Sequence, residues 1–417
     1  MQQILSTLVL GAFWVATPAN ATAQPVYDLL LQGGHVIDPA NEINGPRDVA
    51  IRDGKIARVA SDIPAEQAHQ TVRVDGLYVT PGLVDLHTHV YLNGRRSTLN
   101  PDDTSLLTGV TTVVDAGVSG WKTFDDFKAT IIDRATTRVL VLLNIVGGGM
   151  SDKQDVESDL DDMEPGKTAE KARKHPDVIV GIKTAHFGKP GFEALRRAVE
   201  AGRLAEVPVM ADLGILTDSG RDTRTKVLDI LRPGDIHTHF YNDRQIELLD
   251  RFTGKVQPYM WEARRRGVLF DLGHGGGSFL WPVAKKGMEQ GFPPDTISTD
   301  LHPNSIMNQV TMPNSISRLM ALGMPLEGAV LRATVHPAKA MRRFPELGTL
   351  GEGQAADIAV FRMDQGIFAF KDSLRKKLLT PRRLRCVMTV RAGAIVFDED
   401  GLAFPEWRTA GDYEVIE

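Results

Sequence analysis

The stretch Thr80-Pro81-Gly82-Leu83-Val84-Asp85-Leu86-His87-Thr88-His89 carries two histidines one residue apart at the end of a short apolar run. The Pro81-Gly82 pair is a turn signal, after which a new element begins. Side chains two positions apart lie on the same face of a strand, so His87 and His89 point in one direction. Two imidazoles on one face suit a metal ion. The alternative is a pair of solvated loop histidines.

Apolar segments recur after this first strand up to about residue 343, and helical patterns such as residues 192–199 separate them. The segments are 111–115, 139–143, 178–183, 207–212, 235–239, 268–271 and 296–300. With the first strand they make eight strand–helix units over roughly 260 residues, the usual size of a closed parallel barrel. The sequence therefore predicts an α/β protein with a (β/α)8 TIM barrel over residues 81–343.

Both ends of the chain have the pattern of short strands instead. Asp53-Gly54 and Asp75-Gly76 each separate two strand patterns, which predicts two hairpins. Strand patterns return near the C-terminus, at 356–361, 387–390 and 394–397. We expect residues 24–80 and 344–417 to assemble into one small β-sandwich domain formed by both termini.

The first 23 residues have the layout of a cleaved export signal. An apolar run over residues 4–16, short for a membrane span, precedes the overlapping small-residue sites Ala19-Asn20-Ala21 and Ala21-Thr22-Ala23. Lys and Arg are missing before the run, so a retained anchor or a buried N-terminal segment is the alternative. A signal peptide over residues 1–23 predicts a bacterial protein that is periplasmic or secreted, with no integral membrane anchor after cleavage.

The overall composition is that of a soluble globular protein. Of 417 residues, 42% are hydrophobic and 24% are charged, and the net charge is −5. No nucleic-acid partner is expected, because the chain has no excess of basic residues. We expect a small-molecule substrate, and a homo-oligomer is compatible with the sequence.

Chemically reactive side chains recur where the predicted barrel strands end. In a closed barrel all strand C-termini meet at one face, and catalytic residues gather there. Of the 11 histidines, seven fall at or just past these ends. The strand-end residues that share this face are His87, His89, Lys183, Asp212, His239 and Asp300.

Lys183 ends a buried apolar strand, a costly position for a charged amine unless it is paired. Burial and nearby divalent cations lower the pKa of a lysine and leave the amine neutral. A neutral amine can capture CO2 to form a carbamate, which is an anionic ligand with two oxygens. The alternative is a lysine that extends to solvent or pairs with a carboxylate.

In these motifs the chain resembles members of the amidohydrolase superfamily. The segments 270–279 and 298–302 are similar to those of its amidohydrolase/deacetylase metallohydrolase branch, which is related to dihydroorotases. The similarity covers nearly all of the mature chain. The matching motifs are residues 81–89, Lys183, His239, 298–300, 333–340 and 351–360.

The resemblance implies a metal centre that hydrolyses its substrate. His87 and His89 would hold one metal, usually Zn²⁺, with Asp300 as a further ligand. A CO2-derived carbamate on Lys183 would bridge to a second metal, which His239 binds. Metal-activated hydroxide would then attack the substrate carbonyl, and Asp300 would act as general acid and base.

One position departs from the family pattern. The family has a second-metal histidine at the end of the fifth strand, where this chain has Asp212. A carboxylate is also a zinc ligand, so Asp212 is a candidate ligand in a two-metal centre. A one-metal enzyme with a weak or empty second site is the alternative. His237, predicted to face inward below His239, is either a replacement ligand or a hydrogen-bonded core residue.

Three more histidines are candidates for substrate binding. His274 precedes a run of glycines whose backbone amides suit a substrate, although the run also fits a plain turn. His302 is expected either to orient Asp300 or contact substrate, or to pack in its loop. His186 follows Lys183 by three residues, and we expect it at the mouth of the pocket.

The sequence thus predicts a metal-dependent amidohydrolase that cleaves an amide or ester bond, such as that of an N-acyl or N-acetyl compound. A cyclic amidase of the dihydroorotase kind is the alternative within the same class. A non-catalytic binding module with a degenerate metal site is the alternative from another class, and Asp212 is the feature that favours it.

Overall fold

The structure is a computed structural model that describes residues 25–92, 98–151, 156–212, 224–242, 248–344 and 346–411. The predicted signal peptide lies outside the described residues. Within these ranges, no helix is both long and apolar enough to span a membrane.

Short strands begin the described chain. They are β1 (Tyr27–Asp38), β2 (Ile43–Arg52), β3 (Lys55–Ala60), β4 (Ala68–Arg73) and β5 (Tyr78–Pro81). β2 and β3 form the first predicted hairpin. Its turn residues Asp53 and Gly54 both have positive φ, 53° and 71°, as a two-residue turn of this kind requires.

The second predicted hairpin is wrong, because β4 and β5 do not pair with each other. Both run parallel to β1, with β4 beside the first half of that strand and β5 beside the second half. The register of β1 shifts between Leu31 and Gly34. A Cβ at Gly33 would lie 2.5 Å from Oδ1 of Asp75. The Asp75-Gly76 turn therefore lies over this bulge and carries the chain along β1 instead of reversing it.

Seven parallel strands follow and form the barrel sheet, each beside the next in chain order. They are β6 (Leu83–Thr88), β7 (Val110–Gly120), β8 (Arg138–Asn144), β9 (Ile179–Ala185), β10 (Val209–Asp212), β11 (Ile236–Thr238) and β12 (Leu269–Asp271). The eighth predicted strand is irregular. Residues 296–301 make single parallel bridges, Asp271 with Thr296 and Thr88 with Leu301. The segment thus lies between β12 and β6 and closes the barrel.

Helices connect the strands of the barrel. They are α1 (Pro101–Thr104), α2 (Phe124–Phe127), α3 (Pro165–Lys174), α4 (Glu193–Ala205), α5 (Arg224–Ile230), α6 (Pro258–Arg265), α7 (Trp281–Glu289), α8 (Pro303–Met307), α9 (Met312–Ala321), α10 (Leu326–Ala333) and α11 (Val335–Met341). A proline within the first two positions begins six of them, α1, α3, α6, α7, α8 and α9, where the missing N–H costs no intrahelical bond.

The C-terminal strands return to the strands of the N-terminus. They are β13 (Ile358–Lys371), β14 (Lys377–Arg391) and β15 (Ala394–Asp398). β13 pairs with β5, so the sheet runs β15-β14-β13-β5-β1-β2-β3, with β4 also on β1. The predicted fold class, a parallel α/β barrel with a separate β structure formed by both termini, is confirmed.

Three large apolar clusters among the described residues hold these layers together, and a fourth, small one surrounds Leu30. One fills the barrel and includes Val84, Leu86 and Met210. A second lies between the barrel strands and the surrounding helices. The third is the core of the terminal sheet. Burying each aliphatic side chain of this size contributes about 1.5–3 kcal/mol, and these clusters fix the barrel rim on which the polar residues stand.

Candidate metal centre

His87, His89 and Asp300 converge at the C-terminal end of the barrel. β6 is buried along its whole length and ends at Thr88, between the two histidines. Nε2 of His89 lies 3.0 Å from Oδ1 of Asp300, and Nε2 of His87 lies 3.6 Å from the same oxygen. Among the described residues, these three form the group whose ligand atoms all lie within 4.8 Å of one another.

The hydrogen bonds of His87 determine which ring nitrogen is free. Nδ1 lies 3.2 Å from the hydroxyl of Thr238, and this hydroxyl donates to Asp271 at 2.8 Å. Since the hydroxyl has one proton, Nδ1 of His87 must donate to it. The lone pair is then on Nε2, which faces Asp300. A ring held in this way through Nδ1 is typical of metal-binding histidines.

Burial sets the charge of this first group. Burial, together with the nearby Lys183, lowers the pKa of His87 to about 3, so this imidazole is neutral at pH 7. Burial alone would raise the pKa of Asp300, but His87 and His89 outweigh it and hold the carboxyl well below its usual range. Two neutral imidazoles beside a carboxylate are a good donor set for a divalent cation.

A second group lies beside the first and is centred on Asp212, the last residue of β10. Nε2 of His239 is 3.4 Å from Oδ2 of Asp212, and Nζ of Lys183 is 4.0 Å from it. Nζ of Lys183 also lies 3.1 Å from Nε2 of His87. Lys183 therefore stands between the two groups, and all of these side chains are buried.

The charges in the second group are arranged around one carboxylate. Burial lowers the pKa of Lys183, which favours the neutral amine. Burial would raise the pKa of Asp212, but His239 and His186 hold it well below the usual range. Asp212 in turn raises the pKa of His239 against the effect of burial. Nδ1 of His239 donates to the carbonyl of Gly273 at 2.6 Å, so Nε2 is the nitrogen that faces Asp212.

Unusual backbone conformations position three of these residues. His186, His239 and Asp300 have φ values of 48°, 66° and 51°, in the left-handed region that non-glycine residues seldom adopt. Such residues cluster at functional sites, where the surrounding structure maintains the strain. Gly275, also at positive φ, lies so close that a Cβ there would be 2.3 Å from Oδ2 of Asp300.

His186, predicted at the pocket mouth, follows the end of β9, and its side chain is half exposed. Nδ1 lies 2.8 Å from Oε2 of Glu157, and Nε2 lies 3.4 Å from Oδ2 of Asp212. Asp212 raises the pKa of His186 to about 9, against the effect of burial. Sequence reasoning missed Glu157, because it lies in a short 3-10 helix (Val156–Ser158) outside the barrel strands.

His274 and His302 both lie near Asp300. Nδ1 of His274 is bonded to the carbonyl of Gly275, its ring stacks on Phe279, and its Nε2 is buried without a partner among the described residues. His302 caps α8 through Nδ1, which accepts from the amide of Ser305. Nε2 of His302 therefore carries the proton when the ring is neutral, and it lies 3.9 Å from Oδ2 of Asp300.

Two buried aspartates support the site, and the sequence analysis assigned a role to neither of them. Asp271 accepts hydroxyl bonds from Thr238, Thr296 and Ser298. Asp85 accepts from the hydroxyl and the amide of Thr299, and burial raises its pKa to about 7. The signal for both was present, since each is an acidic residue within an apolar strand.

The predicted inward orientation of His237 is wrong. Ile236 lies in the barrel core and Thr238 bonds to His87, so residue 237 between them faces outward. Its ring meets Phe270 edge-on at 5.9 Å. His239 breaks the alternation through its positive φ, and this is why the two histidines do not share a face. His237 is therefore not a replacement ligand.

The residues present fit a divalent cation. The first group offers two imidazole nitrogens and a carboxylate oxygen within a short distance of each other, with the second nitrogen of His87 already bonded elsewhere. The donor types are those of zinc sites. The second group offers Asp212 and His239 beside Lys183, with Nε2 of His239 at 3.4 Å and Nζ of Lys183 at 4.0 Å from Oδ2 of Asp212.

Comparison with known proteins identifies the family. The profile of the amidohydrolase family matches residues 281–390. A deacetylase of Agrobacterium fabrum is 31% identical over 79% of this chain and 83% of its own length. A deacetylase of Enterococcus faecalis is 29% identical over 88% of this chain and 99% of its own length.

Solved structures agree with the sequence comparison. A crystal structure described as an adenine deaminase superposes with a TM-score of 0.82 at 29% identity, covering 88% of this chain and 99% of that one. One described as a dihydroorotase superposes with a TM-score of 0.78 at 28% identity, covering 89% and 99%. The chain belongs to the amidohydrolase superfamily of hydrolases that act on C–N bonds. Within that superfamily it resembles the deacetylase branch related to dihydroorotases.

Proposed function

We propose that this protein is a metal-dependent hydrolase that removes an acyl group, such as acetyl, from an amide nitrogen. The observation that carries the proposal is the convergence of His87 Nε2, His89 Nε2 and Asp300 Oδ1 at the mouth of a closed barrel, beside the buried amine of Lys183. Three relatives named deacetylase support the choice of an acyl group such as acetyl.

His87, His89 and Asp300 would hold the first cation, and Asp212 and His239 would hold a second one beside Lys183. A divalent cation bound there supplies acidic water near neutral pH and polarises a carbonyl oxygen. Neutral His87 can accept a cation without first losing a proton, because burial has already lowered its pKa to about 3.

Asp300 is the group that moves the proton. Its carboxylate is ionised, and His89 holds Oδ1 while Oδ2 lies toward Gly275 and His302. Asp300 accepts a proton from the attacking water as the C–O bond forms. It then gives this proton to the nitrogen as the C–N bond breaks, so that a neutral amine leaves.

The need for this proton favours an amide over an ester. An amine leaves only when it is protonated, whereas an alkoxide or phenoxide of low basicity leaves unaided. A buried carboxylate placed to carry one proton is therefore of most use when the leaving group is an amine. Ester cleavage by the same residues is expected as a side activity with activated esters.

A cyclic amide is the second candidate substrate. The structure described as a dihydroorotase, which is 28% identical over nearly the whole chain, favours it. Ring opening of a cyclic amide uses the same attack and the same proton transfer, so the site residues do not separate the two substrates. The choice between the two substrates depends instead on the residues that contact the acyl group and the leaving group.

A substrate screen tests the proposal. The full-length protein, loaded with zinc or with manganese, is assayed with N-acetyl amino acids, acylated hydroxy acids and cyclic ureides. We expect hydrolysis of an N-acyl compound that is lost on chelation and restored by the metal. A folded protein that binds no metal and hydrolyses none of these compounds would instead be a binding module.

Asp300→Asn tests the proton transfer. We expect kcat on the amide to fall by about 10²–10⁴-fold, the usual contribution of general acid–base catalysis. Hydrolysis of an activated phenyl ester should also fall, because the attacking water still gives its proton to Asp300, but by a smaller factor, because the leaving group needs no proton. Metal content is measured alongside, since Asp300 is also a candidate ligand, and the exposed Asp62→Asn serves as the matched control. Equal losses on amide and ester would contradict the role.

A further inference from the structure

The centre lacks a histidine at Asp212, and His186 approaches that position from the loop after β9. Oδ2 of Asp212 is 3.4 Å from Nε2 of His186 and 3.4 Å from Nε2 of His239. Two histidines from different elements therefore aim the same kind of nitrogen at one carboxylate oxygen. The sequence pattern predicted His186 as a substrate contact and gave no indication that it approaches Asp212.

The second ring nitrogen of His186 is held as it is in the other candidate ligands. Nδ1 of His87 donates to Thr238, Nδ1 of His239 donates to Gly273, and Nδ1 of His186 faces Glu157 at 2.8 Å. In all three, an oxygen acceptor fixes Nδ1 and leaves Nε2 toward the centre. A carboxylate bonded to the far nitrogen is the usual arrangement of a metal-ligating histidine.

His302 shows that this arrangement is not general among the histidines of the rim. Its Nδ1 accepts from a backbone amide, so its Nε2 carries a proton in the neutral ring and cannot offer a lone pair. His186 also has a left-handed backbone, with φ of 48°. This conformation is unfavourable for a residue with a Cβ, and here it accompanies a ring whose Nε2 lies 3.4 Å from Oδ2 of Asp212.

We propose that His186 is a protein ligand of the second metal, together with Asp212 and His239, and that it replaces the histidine that the fifth strand lacks. This inference rests on the proposed metal-dependent function. The ligand atoms of this second group are spread more widely than those of the first. The half-exposed ring of His186 has room to move, and we expect a bound cation to draw it inward to the ~2 Å of a zinc–nitrogen bond.

The test counts metal ions and does not rely on activity. Full-length protein is reconstituted with zinc, and bound zinc per chain is measured by mass spectrometry, with affinities from competition with a chelating dye. We expect His186→Ala to weaken the second zinc by at least about 10–100-fold and to leave the first unchanged. His69→Ala, an exposed histidine of β4, is the matched control.

A compensating variant makes the test specific. Asp212→His restores the family ligand, so in the double variant Asp212→His/His186→Ala the second zinc should bind with high affinity again. Glu157→Gln should weaken the second zinc by a smaller factor than His186→Ala.

Three results would overturn the inference. The first is a His186→Ala protein that binds the second zinc as tightly as the wild type, which would make His186 a substrate contact or an ion-pair partner. The second is a wild type that binds one zinc and hydrolyses its substrate, which leaves the proposed function intact. The third is a double variant without recovery. If His186→Ala does not fold, His186→Gln serves in its place, with circular dichroism as the check.

Discussion

Oδ2 of Asp271 lies 3.7 Å from Nδ1 of His87. The hydroxyl of Thr238, the last residue of β11, forms a hydrogen bond with both of them. Asp271 ends β12, so three neighbouring elements hold one imidazole. The ring is thereby fixed in the tautomer that presents Nε2 to Asp300. Sequence patterns predicted His87 as a metal ligand, and the structure adds the residues that orient its ring.

Asp271→Asn should weaken the first metal by about 10–100-fold, the usual effect of losing a partner that orients a ligand. The amide is nearly the same size, but it has no negative charge and only one oxygen to accept the hydroxyls of Thr238, Thr296 and Ser298. Zinc affinity and thermal unfolding are both measured. A loss of stability with unchanged zinc affinity would show that Asp271 serves the fold alone.

Lys183→Ala should abolish amide hydrolysis, and small carboxylic acids such as formate or propionate should restore part of it. The substitution leaves space beside His87 and Asp212, where an added carboxylate can take the position of a carbamate. Lys183→Leu fills that space and should not be rescued. Full activity in Lys183→Ala without any acid would rule out the carbamate.

Gly275→Ala should lower kcat by at least about 10-fold while the fold persists. The added Cβ would lie 2.3 Å from Oδ2 of Asp300 at a positive φ, and small displacements of a catalytic group are costly. Gly276→Ala is the matched control, because the nearest atom to its Cβ is 3.5 Å away. Kinetics and circular dichroism on both variants decide the matter, and equal kcat values would argue against this contact.

His237→Leu should stabilise the metal-free protein, more at pH 5 than at pH 7.5. Burial lowers the pKa of His237 to about 4, below the ~6.5 of an unfolded histidine. Between these values the unfolded chain binds the extra proton, so acid destabilises the native state and leucine removes that effect. The difference at pH 5 is about 2 kcal/mol. Urea unfolding at both pH values measures it, and an equal gain at each would refute the assignment.

Local sequence patterns predicted the repeating strand–helix units of the barrel. The eight apolar segments placed the barrel, and the HxH pair on β6 placed His87 and His89 beside Asp300. The eighth segment was harder, because residues 296–301 make single bridges and carry Asp300 at a positive φ. A period of two cannot anticipate a left-handed residue at a strand end.

Contacts between distant segments could not be predicted from local sequence patterns. Glu157 reaches His186 from a separate short helix, and the Asp75-Gly76 turn continues along β1 because a bulge at Gly33 makes room for it. His237 and His239 do not share a face because His239 leaves the regular strand geometry through its positive φ. For Glu157 and for the Asp75-Gly76 turn, the deciding contact is with a part of the chain that no local window contains.

The sheet built from both termini has a consequence for biosynthesis. Oδ2 of Asp38 accepts a hydrogen bond from the amide of Leu350, 312 residues later in the chain. β5 likewise pairs with β13, which is made much later. During translation the N-terminal strands emerge long before their partners. The contact order is therefore high and folding should be slow, with an unpaired strand edge open to aggregation until the ribosome has released the last hairpin.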